Sequence, residues 1–132
     1  MAELEVHAHM KIRPGQLEGF KQQAAECMRV TKEKDTRTLR YDWFISRDGT
    51  ECEVHEVCVS SEGLMEHNAN IAEARAKIFA EFAKDHFMTM YGEVSQELAD
   101  LLEKMQKAGH VKFASFSFFQ GLESPASAAT KA

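Results

Sequence analysis

The sequence predicts an α+β domain of the ferredoxin-like kind, ordered β-α-β-β-α-α-β with an enlarged second helical crossover. Three observations carry this expectation. Residues 4–12 alternate apolar and polar side chains; residues 39–59 hold two alternating runs joined by Asp48-Gly49; and the stretches 16–32 and 64–105 place apolar residues at three- and four-residue steps. The 132 residues are the size of one domain. Such a chain buries roughly two-thirds of its extended surface and needs neither metal nor disulfide to fold.

In the first strand Leu4, Val6, Ala8, Met10 and Ile12 share one face, and Arg13-Pro14-Gly15 ends it. Leu17, Phe20, Ala24, Cys27 and Met28 then form the apolar stripe of a first helix, from Gln16 to about Lys32. After a charged loop, Leu39, Tyr41, Trp43 and Ile45 line one side of a second strand. Asp48-Gly49 tolerates positive φ and turns the chain into a third, from about Thr50 to Val59, with Cys52, Val54, Glu56 and Cys58 together. A long helical region carries Leu64, Ile71, Ala74, Ile78, Phe79, Phe82 and Phe87, and Phe87, Met88 and Tyr91 are read as helical with it. Ser95 caps a further helix with Leu98, Leu101, Leu102 and Met105 inward. Gly109 closes that helix, and Val111 to Phe119 forms the last strand. Residues 1–120 thus form the domain, and 121–132, small and polar, a flexible tail.

A sheet covered by helices on one side leaves a second face to satisfy. The Tyr41 and Trp43 set or the Phe116 and Phe118 set would make that face too apolar for water, and a C2 homodimer buries two such faces at once. The net charge of −5 with interspersed signs and no Lys/Arg run argues against a nucleic-acid partner. Cys27, Cys52 and Cys58, odd in number and without a C-x-x-C pair, indicate neither a disulfide framework nor a zinc site. No stretch approaches the 18 apolar residues of a membrane span, and the expected location is cytoplasmic.

The run His9-Met10-Lys11-Ile12-Arg13-Pro14-Gly15 before an amphipathic helix, then Leu39-Arg40-Tyr41, Glu56-Val57 and Leu64-Met65-Glu66-His67, resembles the antibiotic-biosynthesis monooxygenase family. The resemblance spans about Val6 to His67. It implies a dimeric α+β barrel and a monooxygenase that oxidises a quinol-like or other electron-rich aromatic compound without metal or flavin; haem-degrading relatives and proteins with signalling or unknown roles share the family. Tyr41, Glu56 and His67 occupy the family's characteristic positions. Where the family has the Trp of a Glu-Val-Trp run this chain has Cys58, and Asp35-Thr36-Arg37 replaces a Glu-Pro-Gly.

Cofactor-free oxygenation needs a base, donors for the developing anion and a dry pocket. His67 is the expected base, or else it orders the strand-to-helix junction with Glu56. Tyr41 either donates to a substrate oxygen or packs beside Trp43. Glu56, beside apolar Val54, either moves protons or pairs with His67. Trp43, Cys58, Phe79, Phe82 and Phe116 are the expected pocket wall, or simply core. His7, His9 and His55 have a spacing that two strands could bring to one ion, but lie on a polar face where exposed histidines are the commoner outcome; no metal is expected. The competing functions are a non-enzymatic small-molecule-binding protein and a structural dimer.

Overall fold

The computed structural model describes residues 3–122; residues 123–132 of the expected tail lie outside the described residues. Strand β1 (Leu4–Ile12) runs into helix α1 (Leu17–Lys34). Strands β2 (Thr38–Ile45) and β3 (Glu51–Cys58) form the expected hairpin, followed by helix α2 (Ser61–Lys77), strand β4 (Ala83–Tyr91), helix α3 (Gln96–Lys107) and strand β5 (Lys112–Phe116). The five strands order as β2-β3-β1-β4-β5. The first four are antiparallel and make the ferredoxin-like sheet; β5 is added parallel to β4.

The alternation of β1 places it at the centre. Leu4, Val6, Ala8, Met10 and Ile12 are all buried beneath the helices, in one core with Phe20 and Cys27 of α1. The hairpin closes as read: Gly49 takes φ +74°, and the Asp48 carboxylate accepts from Ser46 Oγ and from the amide and hydroxyl of Thr50. Ser60 accepts from the Gly63 amide at the start of α2, and Ser95 from the Leu98 amide at the start of α3.

Two elements depart from expectation, the last strand only in ending at Phe116 rather than Phe119. The helical pattern of α2 does not run on to Phe87: it ends in one π-helical turn, Ile78–Phe82, and the chain becomes strand β4. The alternation there is broken by a bulge. Lys84 pairs with Lys11 and Phe87 with His9, so both Asp85 and His86 oppose Met10, with Asp85 left-handed at φ 58°. A one-residue excess conceals the period of two, and the spaced Phe residues then read as a helix. Met88 and Met90 point into the core, whereas Phe87 and Tyr91 share the outer face.

The apolar outer face is also different in content. Tyr41 and Trp43 stand opposite Glu56 and Val54 and face the helices, Trp43 meeting Phe20 edge-on. Of the two expected sets it is Phe116 that lies on the outer face, with Phe44, Phe87 and Tyr91, around a centre of His7, His9 and His55. No helix among the described residues is long and apolar enough to cross a membrane.

Candidate functional site

Glu56 sits in mid-sheet between Val6 and Tyr41, 4% exposed and directed at the helices. An isolated carboxylate there would cost several kcal/mol. Two elements supply its compensation. His67, one turn and a half into α2 and wholly buried, places Nε2 2.9 Å from Glu56 Oε1, in ion-pair range though off the axis of a hydrogen bond. Its Nδ1 lies 2.6 Å from Asp35 Oδ2, in the loop that ends α1. Asp35 is held in turn by the Thr38 hydroxyl at 2.6 Å and the Asn70 amide at 2.8 Å. The result is a fixed line, Asp35–His67–Glu56, that orients the imidazole and carries charge to the inner face of the sheet.

The protonation directions follow from these contacts. Burial works against a charged His67, but the carboxylates of Glu56 and Asp35 outweigh it and hold the imidazole above its ordinary range. Burial likewise opposes the Asp35 anion, and the donors from Asn70, Thr38 and His67 together overcome it, leaving its carboxyl below the usual range. Tyr41, whose ring meets His67 edge-on with centroids 4.5 Å apart, is pushed well above its ordinary value by burial and then by the Glu56 charge. Its hydroxyl therefore stays a donor.

A small cavity of about 30 Å³ opens beside Glu56, between the sheet and α2. Tyr41, Trp43, Glu56, Arg75, Phe79 and His86 give its wall most of its chemistry, and the rest of the lining, Cys27, Ile71, Ile78 and Met88 among it, is apolar. At this size it admits a water or so, and a larger guest requires side chains to move. Arg75 bonds Asn68 Oδ1 at 3.0 Å. Trp43 Nε1 and Asn68 Nδ2 are buried donors with no acceptor among the described residues. His86 stacks on Phe79 at 4.3 Å and is pushed down to about 3 by burial and then by the Arg75 charge, so it is neutral near pH 7.

Of the residues singled out in the sequence, Tyr41, Trp43, Glu56 and Phe79 line this cavity. His67 stands behind Glu56 and does not reach it. Cys58, near the Thr38 hydroxyl, is buried outside it, its thiol raised to about 12 by burial. Phe82 packs over α1 at Gly19, where a methyl group would sit 2.5 Å from its ring. Phe116 is 56% exposed on the outer face because β5 continues the parity of Tyr91, its partner. Asp35, Arg75 and His86 were not anticipated as site residues. Arg75 alone had a readable signal: it shares the apolar helix face of Ile71, Ile78 and Phe79, an unusual place for a cation.

On the outer face the histidines do come together. His7 and His55, cross-strand partners, stack at 3.8 Å and 9°, and His7, Glu53 and His55 bring possible ligand atoms within 4.8 Å of one another. Nε2 of His7 is bonded to Glu5 and that of His55 to Glu53, while His9 bridges Glu51 and Glu53. In this arrangement these ring nitrogens are engaged by carboxylates, a ladder of imidazole–carboxylate pairs.

Comparison with solved structures places the fold. MupZ from Pseudomonas fluorescens superposes with a TM-score of 0.73 at 24% identity, over 96% of this chain and 98% of its own. Rv0793 from Mycobacterium tuberculosis matches with a TM-score of 0.61 at 21% identity, over 72% of this chain and 98% of that one. A protein described as an antibiotic biosynthesis monooxygenase matches with a TM-score of 0.62 at 20% identity, over 70% and 99%. No family model and no curated protein matches the sequence. The chain thus has the fold found in antibiotic biosynthesis monooxygenase structures, in agreement with the resemblance read from its motifs. The MupZ match, leaving out only a few residues, takes in the α3–β5 addition as well.

Proposed function

We propose that this protein is a monooxygenase that oxidises an electron-rich, quinol-like aromatic compound at the cavity beside Glu56, with no metal or flavin. The observation that supports it most is the buried Asp35–His67–Glu56 line ending at a cavity wall that Tyr41 also lines. Glu56 takes the substrate proton, and the imidazolium of His67 behind it steadies the changing charge. Tyr41 holds the oxygen on which negative charge develops. For a substrate with a methylene flanked by aromatic rings, the resulting carbanion passes electrons to dioxygen and a C–O bond forms. Loss of water from the peroxide leaves the carbonyl, so that one methylene and one dioxygen become one ketone and one water. One oxygen atom ends in the ketone and the other in the water, which carries both methylene hydrogens. The substrate supplies all four electrons.

The protein is proposed to act as a homodimer, with the outer sheet faces of two copies together closing an α+β barrel. Phe44, Phe87, Tyr91 and Phe116 are exposed apolar groups available for that contact.

The test is anaerobic binding of a panel of quinols and anthrones to metal-stripped protein, followed by admission of oxygen, with Glu56→Gln in parallel. The expected result is saturable binding by both proteins and a turnover rate lower by about 10²–10⁴ in the variant. Absence of enzyme-dependent oxygen uptake across the panel counts against the oxygenase. The tight cavity favours one other reading in that event, a dimer that binds a small molecule or merely packs.

A further inference from the structure

We infer that the cavity is built for an aromatic carboxylic acid: Arg75 and the indole N–H of Trp43 hold its carboxylate, and it enters from a basic groove through the stacked pair Phe79 and His86. This rests on the reading of the cavity as the ligand site and adds the chemical class of the ligand.

The first observation is an uncompensated cation. Arg75 lines the cavity, and its only side-chain bond is to the neutral Asn68; among the described residues no carboxylate lies within 4.0 Å of it. A guanidinium has two edges that can each take a planar oxyanion, and Asn68 meets only one of its nitrogens. The second is an unused donor on another side chain that lines the cavity, the buried Nε1 of Trp43. Most buried polar groups have partners, so the unpaired Trp43 Nε1, beside the half-buried guanidinium of Arg75, marks a place for an acceptor, and the cation selects one with negative charge. Glu56 shares the wall, but His67 stands 2.9 Å behind it and offsets its repulsion. The remaining wall, Ile71, Ile78, Met88 and the rings of Tyr41 and Phe79, suits an aromatic body.

The third observation is the approach. A groove of about 990 Å³ lies on the other side of Phe79 and His86, both of which line groove and cavity alike. Lys11, Arg13, Lys84 and Lys112 line it against one acid, Asp85, which is 3.7 Å from Lys11. In a chain of net charge −5 this is a local inversion of sign, and it draws anions inward. Phe79 belongs to the π-helical turn, a departure from α-helical hydrogen bonding that recurs at functional sites. Arg13 clasps the turn through the carbonyls of Phe79 and Ala83, at 3.1 and 3.2 Å. The backbone of the turn is thereby held, and the proposal assigns the opening between the two spaces to a swing of the Phe79 ring off His86.

The chain contains a single tryptophan, so its indole N–H gives one resolved cross-peak in a ¹H–¹⁵N spectrum and reports on the proposed contact itself. Benzoate, salicylate and 1-naphthoate are titrated into ¹⁵N-labelled protein beside their neutral primary amides. The expected result is a saturable downfield shift of the indole proton with at least one acid, and binding tighter than its amide by about tenfold to a hundredfold. Arg75→Gln is expected to abolish the acid-over-amide preference and Arg75→Lys to retain part of it, both with the folded spectrum intact. Phe79→Ala is expected to accelerate exchange of acid and amide alike. Equal affinity for acid and amide, or a preference that survives in Arg75→Gln, overturns the proposal and leaves the cavity a ligand site. If neither series moves the indole signal, the proposal and the cavity reading fall together; turnover plays no part in either outcome.

Discussion

His67 illustrates how a residue can be recognised from sequence while its part is assigned only by its neighbours. Its position beside Leu64 and Glu66 marks it, yet the imidazole is 0% exposed and faces Glu56, not the cavity. Asp35, the partner that fixes it, lies 32 residues away and is joined only by the fold. No local pattern announces such a contact. The line has a measurable pH signature. Asp35 is held below its ordinary range, so its contribution to stability is complete above about pH 4 and is lost as pH falls through the folded value. His67 is held above its range, so its contribution is complete below about pH 6.5 and is lost as pH rises through the folded value. Urea midpoints are therefore expected to peak between those limits. Asp35→Asn should weaken the acid limb and His67→Gln the alkaline one, as followed by far-UV circular dichroism. At pH 6, Asp35→Ala strips His67, Thr38 and Asn70 of their acceptor and is expected to cost about 3–5 kcal/mol. A loss below about 1 kcal/mol would show that the line is solvated. His9, Asp48 and Glu66 titrate in the same directions, but they are exposed and water screens them.

At the scale of elements, β1, α1 and the β2–β3 hairpin were legible because each obeys one period, with Pro14-Gly15 separating β1 from α1 and Asp48-Gly49 turning the hairpin. Strand β4 was not, and Asp85 is the physical reason: an extra residue moves the parity of everything after it. The same bulge turns His86 toward the cavity and keeps Lys84 in the groove, so the error in the element also hid half of the entry route. Asp tolerates the left-handed backbone at φ 58° and a β-branched residue does not. Asp85→Val is expected to lower stability by about 1–2 kcal/mol, whereas Asp85→Gly stays within about 0.5 kcal/mol of the parent, measured by thermal unfolding. Equal melting temperatures for the two variants would mean that the strand relaxes to a regular ladder at no cost.

The whole molecule leaves one side of its sheet uncovered, with Phe44 and Phe116 at the two ends of a row that runs through His55 and His7 to Tyr91. The sequence predicts an apolar side there that pairs with a second copy. Its observed content, aromatic at the edges and imidazole–carboxylate in the middle, follows from strand register, which the alternation of a single strand does not supply. Light scattering coupled to gel filtration is expected to give twice the 14.9 kDa chain mass, and Phe44→Asp with Phe116→Asp to shift the protein toward monomer while the fold persists. A wild-type monomer at micromolar concentration would remove the barrel from the proposal.

The position of β5 bears on how the chain is made. The four antiparallel strands are complete at Tyr91, but the outer edge of β4 pairs only with residues from Lys112 onward. On a ribosome adding roughly 5–20 residues per second, that edge waits about one to four seconds for its neighbour, with Phe87 and Tyr91 beside it. Nascent chains are therefore most open to mispairing with one another in this interval, and slowing synthesis between Gly92 and Val111 should lower the soluble yield more than slowing it within α1.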